Sequence, residues 1–474
     1  MAAPLILWFR KDLRLADNPA LHAAVHTGQP VLPVFILDDT LNEASPRTLG
    51  AASRWWLHHS LVALGTCLPL VLRRGAPEAV LQDLIAETGA SAVFWNRLYE
   101  PETISRDSAI KAALKDQGLD VQSFAGRYLA EPHVLKTKAG TMLKVFTPYW
   151  KALHAHFEHH PLPDVLPAPD DRAIWFQDMK GDDLANWHLL PTAPDWSSGL
   201  GAQWLPGEAG AWARFDQFKD TALDAYKDNR NRPDLPGVSY LSPHLHWGEI
   251  SVTQLWHATV THGNSSSHEH FLKELTWRDF SAYLLYHFPT LPDQNWRADF
   301  DAFPWKEDPE TLKRWQRGMT GYPLVDAGMR QLWATGWMHN RVRMIVASFL
   351  VKHMLHPWQV GESWFWDTLV DADPATNPAA WQWVAGCGAD AAPYFRIFNP
   401  ITQADKFDPE GQYIRKWVPE LARLPQQFIA QPWAADPLTL HTAGVTLGKT
   451  YPTPLIDHKT ARARALQAFQ SLKK

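Results

Sequence analysis

Within the first 130 residues short apolar runs alternate with helical stretches, and this rhythm constrains the fold more tightly than any other feature of the chain. Pro4–Trp8, Val31–Leu37, Leu68–Leu72 and Ala92–Trp95 are nearly unbroken runs of apolar and β-branched residues. Pro19–His26, Ala51–Leu64, Pro77–Glu87 and Ser105–Lys115 follow them with helical spacing. A strand covered on both faces has no polar side, and parallel strands need a helix to cross over, so the pattern predicts a parallel sheet with helices on its faces. Gly28 and Gly118 sit just past helix ends, and Pro77 and Pro101 where helices begin, which suits a residue without Cβ and a residue without N–H. No GxGxxG or GxxxxGK(S/T) follows any of these strands, so a pyrophosphate-cradling loop is not expected, nor an ordinary dinucleotide-dependent dehydrogenase or NTPase.

A chain of 474 residues exceeds the roughly 250–300 at which single cores stop growing, which calls for two domains and a connector. The connector is expected at 131–200, where periodicity fades and proline accumulates in HHPLPDVLPAPDDR and LLPTAPDW. From about residue 201 the spacing turns helical, in Gly207–Lys219, His268–His287, Thr320–Leu355, Glu362–Val370 and Lys459–Leu472. The expected organisation is thus an α/β domain over 1–130, a connector over 131–200 and an all-α domain over 201–474. Two cysteines, Cys67 and Cys387, without CxxC, leader or transmembrane run, point to the cytoplasm, with neither a disulfide framework nor a membrane partner. The absence of HExxH and the scatter of histidines, with His58 and His59 read as helix-surface residues, give no metal site. A net charge of -5 predicts no bulk attraction to polyanions and leaves only a local basic face to provide one.

The stretch from Asp371 to Pro400 is the chemical centre of the sequence. It puts Asp371, Asp373, Asn377, Trp381 and Trp383 within thirteen positions. Two readings stand on these residues alone: polar groups and indoles around a planar heterocycle, or a capped helix that buries two tryptophans. Elsewhere, Ser242 ahead of Pro243 reads as an N-cap. Glu274, Trp277 and Arg278 share a helix face, as do Asn340 with Met344 and Trp337 with Arg341. Such groups are costly to bury unless they satisfy one another or meet a polar ligand.

WFRKDLRLADNPAL, SYLSPHLHWGEIS, ELTWRDF, GYPLVDAGMRQL, TGWMHNRVRM and WQWVAGCGADAAPYFRIFNP together resemble the photolyase/cryptochrome family, specifically its cyclobutane pyrimidine dimer photolyases, nearly end to end. SYLSPHLHWGE and NRLYEP are similar to plant cryptochromes and to their sister group, the bacterial class III photolyases. The resemblance implies an α/β antenna domain and a helical domain holding FAD, acting as a monomer on UV-damaged DNA. It assigns the cofactor to Tyr226, Ser239, Leu241, Ser242, Arg278, Asp371, Asp373 and Asn377. Where many relatives read Thr-Ser-Arg-Leu-Ser, this chain reads Val238-Ser239-Tyr240-Leu241-Ser242, which puts phosphate contacts from Val238 and Tyr240 in doubt. On the lesion side it assigns Glu274, Trp277, Asn340, Met344 and Trp383, with Arg230, Arg341 and Gln403 facing DNA. Trp381, Trp358 and Trp305 map onto the family's electron relay. A second chromophore, methenyltetrahydrofolate from the class III resemblance or else a deazaflavin, is expected; Glu100, Glu102 and Arg106 do not choose between them.

Two relatives within the family are weighed against this reading. Repair of the (6-4) photoproduct needs an imidazole acid where this chain has Asn340 and Met344, neither of which gives up a proton at neutral pH. The alternative is a cryptochrome-type blue-light photoreceptor. Plant cryptochromes set an aspartate against flavin N5 as a proton source, whereas Asn377 is an amide, and the chain is expected to lack a signalling extension after its last helix.

Overall fold

The computed structural model describes residues 3–38, 48–170, 173–177, 179–390 and 395–472, so positions 391–394 of the Asp371–Pro400 stretch lie outside the described residues. The chain divides into two compact units. Unit 1 comprises Met1–Thr221, Ser239–Pro289 and Val370–Asp373; unit 2 comprises Ala222–Val238, Thr290–Leu369 and Pro374–Lys474.

Unit 1 contains a five-stranded parallel sheet of β1 (Leu5–Phe9), β2 (Val31–Leu37), β3 (Val71–Arg74), β4 (Ala92–Asn96) and β5 (Asp120–Phe124), in the order β3-β2-β1-β4-β5. Every residue of β1 and β4 is buried, which is why their sequences show no polar alternation. Ile6, Trp8, Leu32, Val34, Val93 and Trp95 form one core with Leu81, Leu84, Ile110 and Leu114 of the helices Pro77–Thr88 and Pro101–Asp116. The chain order reverses at β1, and ligands of doubly wound sheets bind beyond the strand ends at such a point. Here protein groups fill part of that place: the Arg10 guanidinium reaches Asp107 and the Asn96 carbonyl, while Asn96 Nδ2 donates to Asp12 at 2.6 Å and to Asn18 at 2.7 Å.

Unit 1 also contains the helices Ser242–Trp247, Val252–His262 and the 22-residue Ser266–His287. The proline-rich region read as an aperiodic connector also holds a helix, Phe146–His159. Phe146, Tyr149 and Leu153 bury its inner face at helical spacing, and Pro148 is tolerated because it falls in the first turn, where its missing N–H has no intrahelical partner.

In unit 2 the helices Pro323–Thr335, Asn340–Ser348, Trp358–Thr368 and Thr376–Ala385 surround the site residues. The sequence spacing predicts one helical run over Thr320–Leu355, and the structure breaks it. Gly336 closes the first helix at φ 66, and His339 opens the next by accepting the Arg341 N–H on Nδ1 at 3.1 Å. The second helix then widens into a π segment, Phe349–His353.

Candidate functional site

In unit 1 the polar residues assigned by resemblance form a network. Ser242 does not act as an N-cap: Leu241 holds that position, and the Ser242 hydroxyl instead donates to Asp371 Oδ2 at 2.6 Å. As a donor to an ionisable acceptor the hydroxyl makes a charge-assisted bond, and its position one residue inside the helix takes it out of the capping place. Tyr240, at φ 55, supplies the left-handed turn before this helix, and Ser239 Oγ accepts the Leu241 N–H at 3.4 Å.

Asp373 is buried, with His246 Nδ1 at 3.2 Å and Arg127 at 3.8 Å. Burial pushes its carboxyl up, but the His246 hydrogen bond and the neighbouring charges of Lys11 and Arg127 outweigh burial and hold it well below the ordinary value. Burial lowers His246 to about 4, so at neutral pH it is an uncharged imidazole donating from Nδ1. Arg127 in turn bonds the Lys11 carbonyl at 2.9 Å, and Lys11 pairs with Glu100 at 2.9 Å. Glu100 is brought down to about 2, the Lys11 and Arg127 charges overcoming burial. Glu100 is therefore committed to an ion pair, as is Arg106, which bonds Asp38 at 2.6 Å and Asp107 at 2.7 Å. Arg278 donates to the carbonyls of Arg127 at 3.2 Å and Leu245 at 3.1 Å and lies over the Tyr128 ring. Its neighbour Asp279, buried, is pushed up to about 7. Glu274 and Trp277 are half-buried on the same helix, and Trp277 lies flat against Phe146.

In unit 2 Asn377 is anchored by its amide nitrogen, which donates to the Glu362 side chain at 2.9 Å and its main-chain oxygen at 3.2 Å. What remains to Asn377 is a carbonyl oxygen. Trp381 is buried against Phe365 (5.0 Å between ring centres) and Trp315 (6.3 Å). Gly361 makes room for it, since a Cβ there would fall 2.2 Å from the indole. Trp358 is fully buried, with its N–H on Asn295 Oδ1 at 2.8 Å, and half-buried Trp305 packs on Phe303 at 4.3 Å. Among the described residues no ring pair joins these three tryptophans to one another. Trp364 forms a parallel pair with exposed Trp333 at 6.0 Å.

Arg230, Arg341 and Arg396 of unit 2 form a positive cluster. Arg341 donates to Asn231 Oδ1 at 2.7 and 3.2 Å and lies over the Phe407 ring at 4.6 Å. Burial, then the like charges of Arg230 and Arg396, lower its basicity. Buried His339 is brought down to about 3 by desolvation and by the charges of Arg341, Arg343 and Arg230, and its Nε2 has no hydrogen-bond partner among the described residues. Arg230 lies over the ring of buried Tyr226. Asn340 is exposed, Met344 and Trp383 are half-buried, and the side-chain oxygen of Gln403 is buried without a partner among the described residues. Like charges collected at a helix N-terminus favour an incoming anion. Phe146 and Asn231 escaped the sequence reading because each acts on a residue more than 100 positions away; Glu362 meets Asn377 from a separate helix, and only the position of His339 before the helical spacing resumes carried a local signal.

Comparison with known proteins places these residues in context. A family model described as the FAD binding domain of DNA photolyase matches residues 271–471, and one described as DNA photolyase matches residues 5–169. The chain is 53% identical to the deoxyribodipyrimidine photo-lyase of Agrobacterium fabrum, covering 100% of this chain and 98% of the relative. It is 40% identical to cryptochrome-2 of Arabidopsis thaliana, covering 98% of this chain and 78% of that one. The crystal structure of a bacterial class III photolyase from Agrobacterium tumefaciens superposes with a TM-score of 0.95 at 52% identity, over 100% of this chain and 98% of the other.

Proposed function

The chain belongs to the photolyase/cryptochrome family, and from that premise we propose that it is a deoxyribodipyrimidine photolyase that splits cyclobutane pyrimidine dimers in DNA with light. The donor set suits FAD. In unit 1, Ser239, Leu241, Ser242, Arg278, Asp371 and Asp373 bring hydroxyls, a planar cation and an ionised, internally compensated carboxylate; in unit 2, Tyr226 and Asn377 complete the assignment. When bound, photoexcited reduced FAD supplies one electron to the dimer and recovers it after the ring opens, so no net redox change occurs. A dimer is out of reach inside a duplex and must be flipped out, stacked and gripped by its polar edges. Trp277 and Glu274 in unit 1, and Asn340, Met344 and Trp383 in unit 2, take those parts. As charge develops on the dimer carbonyls, the Glu274 carboxyl is the group this reading assigns to hydrogen-bond them.

The observation that carries repair over blue-light sensing is the Asn377 hydrogen bonding: with its N–H groups turned to Glu362, the residue offers only an oxygen and no acidic proton. DNA as the partner is supported in both units despite the net charge of -5. Lys136, Lys138, Lys144 and Lys151 are exposed, and no acid lies between Glu131 and Glu158; unit 2 adds Arg230 and Arg341, with Gln403 beside them in the assignment. A second chromophore, methenyltetrahydrofolate rather than a deazaflavin, belongs to the same reading. It is supported by a cavity of about 390 Å3 in unit 1, whose Trp95, Tyr99 and Tyr286 suit a planar ring; Arg97 there is paired with Glu131 at 2.8 Å and Asp107 also lines the wall, which leaves Lys111 for a ligand carboxylate. The absorption spectrum of the purified protein tests both cofactors: flavin bands with a folate shoulder are expected, and a deazaflavin band would replace the folate. The repair mechanism is tested by Glu274→Ala, which should keep FAD and lower the yield of dimers split per photon; an unchanged yield removes the carboxyl from the mechanism.

A further inference from the structure

Phe146 and Trp277 lie with ring centres 3.9 Å apart and planes inclined by only 6°, a parallel stack at direct contact. Phe146 opens the Phe146–His159 helix and is buried, whereas Trp277 is half-buried. Phe280 packs edge-on to both rings, at 6.0 Å from Phe146 and 5.7 Å from Trp277. The loop ahead of Phe146 is tied down as well, because the Leu143 N–H donates to the Tyr283 hydroxyl at 2.8 Å. One indole face is therefore covered by a phenyl ring that cannot easily withdraw, and the open surface of Trp277 is confined to its other face and edge.

An indole turns about two side-chain torsions, and freezing such a side chain on binding costs affinity that a pre-set ring does not lose. We propose that Phe146 is a positioning residue for lesion recognition: its ring backs Trp277 and holds the opposite indole face as a flat platform on which the flipped pyrimidine stacks. This rests on the reading of Trp277 as a lesion contact, and it makes the Phe146–His159 helix part of the recognition machinery.

The test compares dimer-containing with undamaged oligonucleotides in the dark, using Phe146→Met, which fills similar volume without a ring, and Phe146→Tyr, which keeps the ring. Phe146→Met should lower the ratio of dimer to undamaged affinity by roughly three- to tenfold, with affinity for undamaged DNA and its salt dependence unchanged, and Phe146→Tyr should restore the ratio. A purely structural role would not move that ratio selectively. Trp277→Ala should lower the ratio further, and adding Phe146→Met to it should cost nothing more, since the platform is already gone. If Trp277→Ala loses discrimination while Phe146→Met keeps it, the positioning role is overturned and Trp277 stands. If Trp277→Ala itself keeps discrimination, the reading of Trp277 fails, and the role of Phe146 with it. Should Phe146→Met not fold, a loss of the ratio in Phe146→Tyr would overturn the proposal and full retention would support it.

Discussion

The carboxylate network around Asp373 and the arginine cluster around Arg341 show two ways of burying charge. Asp373 is met by His246, Arg127 and Lys11, and its charge is balanced from within unit 1. Arg341 is crowded by Arg230 and Arg396, and its side-chain hydrogen bonds go to a neutral amide oxygen. A buried charge with its counter-charge in place fixes structure; an arginine half-buried among like charges favours an incoming anion. In the proposed reading, the sign of the partner charge, together with the shallower burial of Arg341, separates scaffold from binding surface.

Asp373→Asn is the largest perturbation of this contrast. It leaves Arg127 buried beside a neutral amide, and breaking a buried pair from one side costs about 3–5 kcal/mol, read as a loss of unfolding free energy in urea. A change below about 1 kcal/mol would mean that the network is not internally balanced. Arg341→Ala should act in the opposite sense. Removing one of several like charges should leave stability within about 0.5 kcal/mol, while the dependence of dimer-DNA affinity on salt flattens by about 0.9 in log–log slope, one phosphate contact. A stability loss with an unaltered slope would make Arg341 structural and end the contrast.

A third test is one of pH. Lys352 of unit 2 is lowered to about 7, first by burial and then by Arg396, against the ordinary 10.5. The folded chain thus binds fewer protons than the unfolded chain between these values, so stability should rise as pH climbs from about 7 towards 10. Asp373, held below its ordinary value, acts at the other end of the scale, with stability present above about pH 4 and lost as pH falls further. Lys352→Met should abolish the alkaline rise and leave the acid limb in place, measured by urea midpoints across the pH range.

The α/β half was legible because continuous apolar runs have few alternatives. Val31–Leu37 and Pro19–His26 match the structure residue for residue. β5 was missed because DVQSF lies at the edge of the sheet and buries only Val121 fully, so it never reads as an apolar run. β3 begins at Val71 instead of Leu68, since Pro69 has no N–H to offer a ladder. In the site, Asp371, Asp373 and Asn377 were visible as polar residues set among aromatics. Their partners were not: Ser242, His246 and Arg127 meet the two aspartates from more than 120 positions away, and no local pattern announces such pairing. The resemblance supplied roles, but could not supply the Glu362 anchor of Asn377 or the Phe146 backing of Trp277.

The decisive measurement is dimer splitting by chemically reduced, FAD-loaded protein, wild type beside Trp381→Phe, in blue light and in the dark. Phe keeps most of the ring's bulk but is far harder to oxidise than indole, so the variant should bind FAD, be photoreduced by external thiols far more slowly, and yet, once reduced, split dimers in light with the wild-type yield and not at all in the dark. Splitting in the dark, or no splitting by the reduced wild type in light, would contradict light-driven repair by this chain.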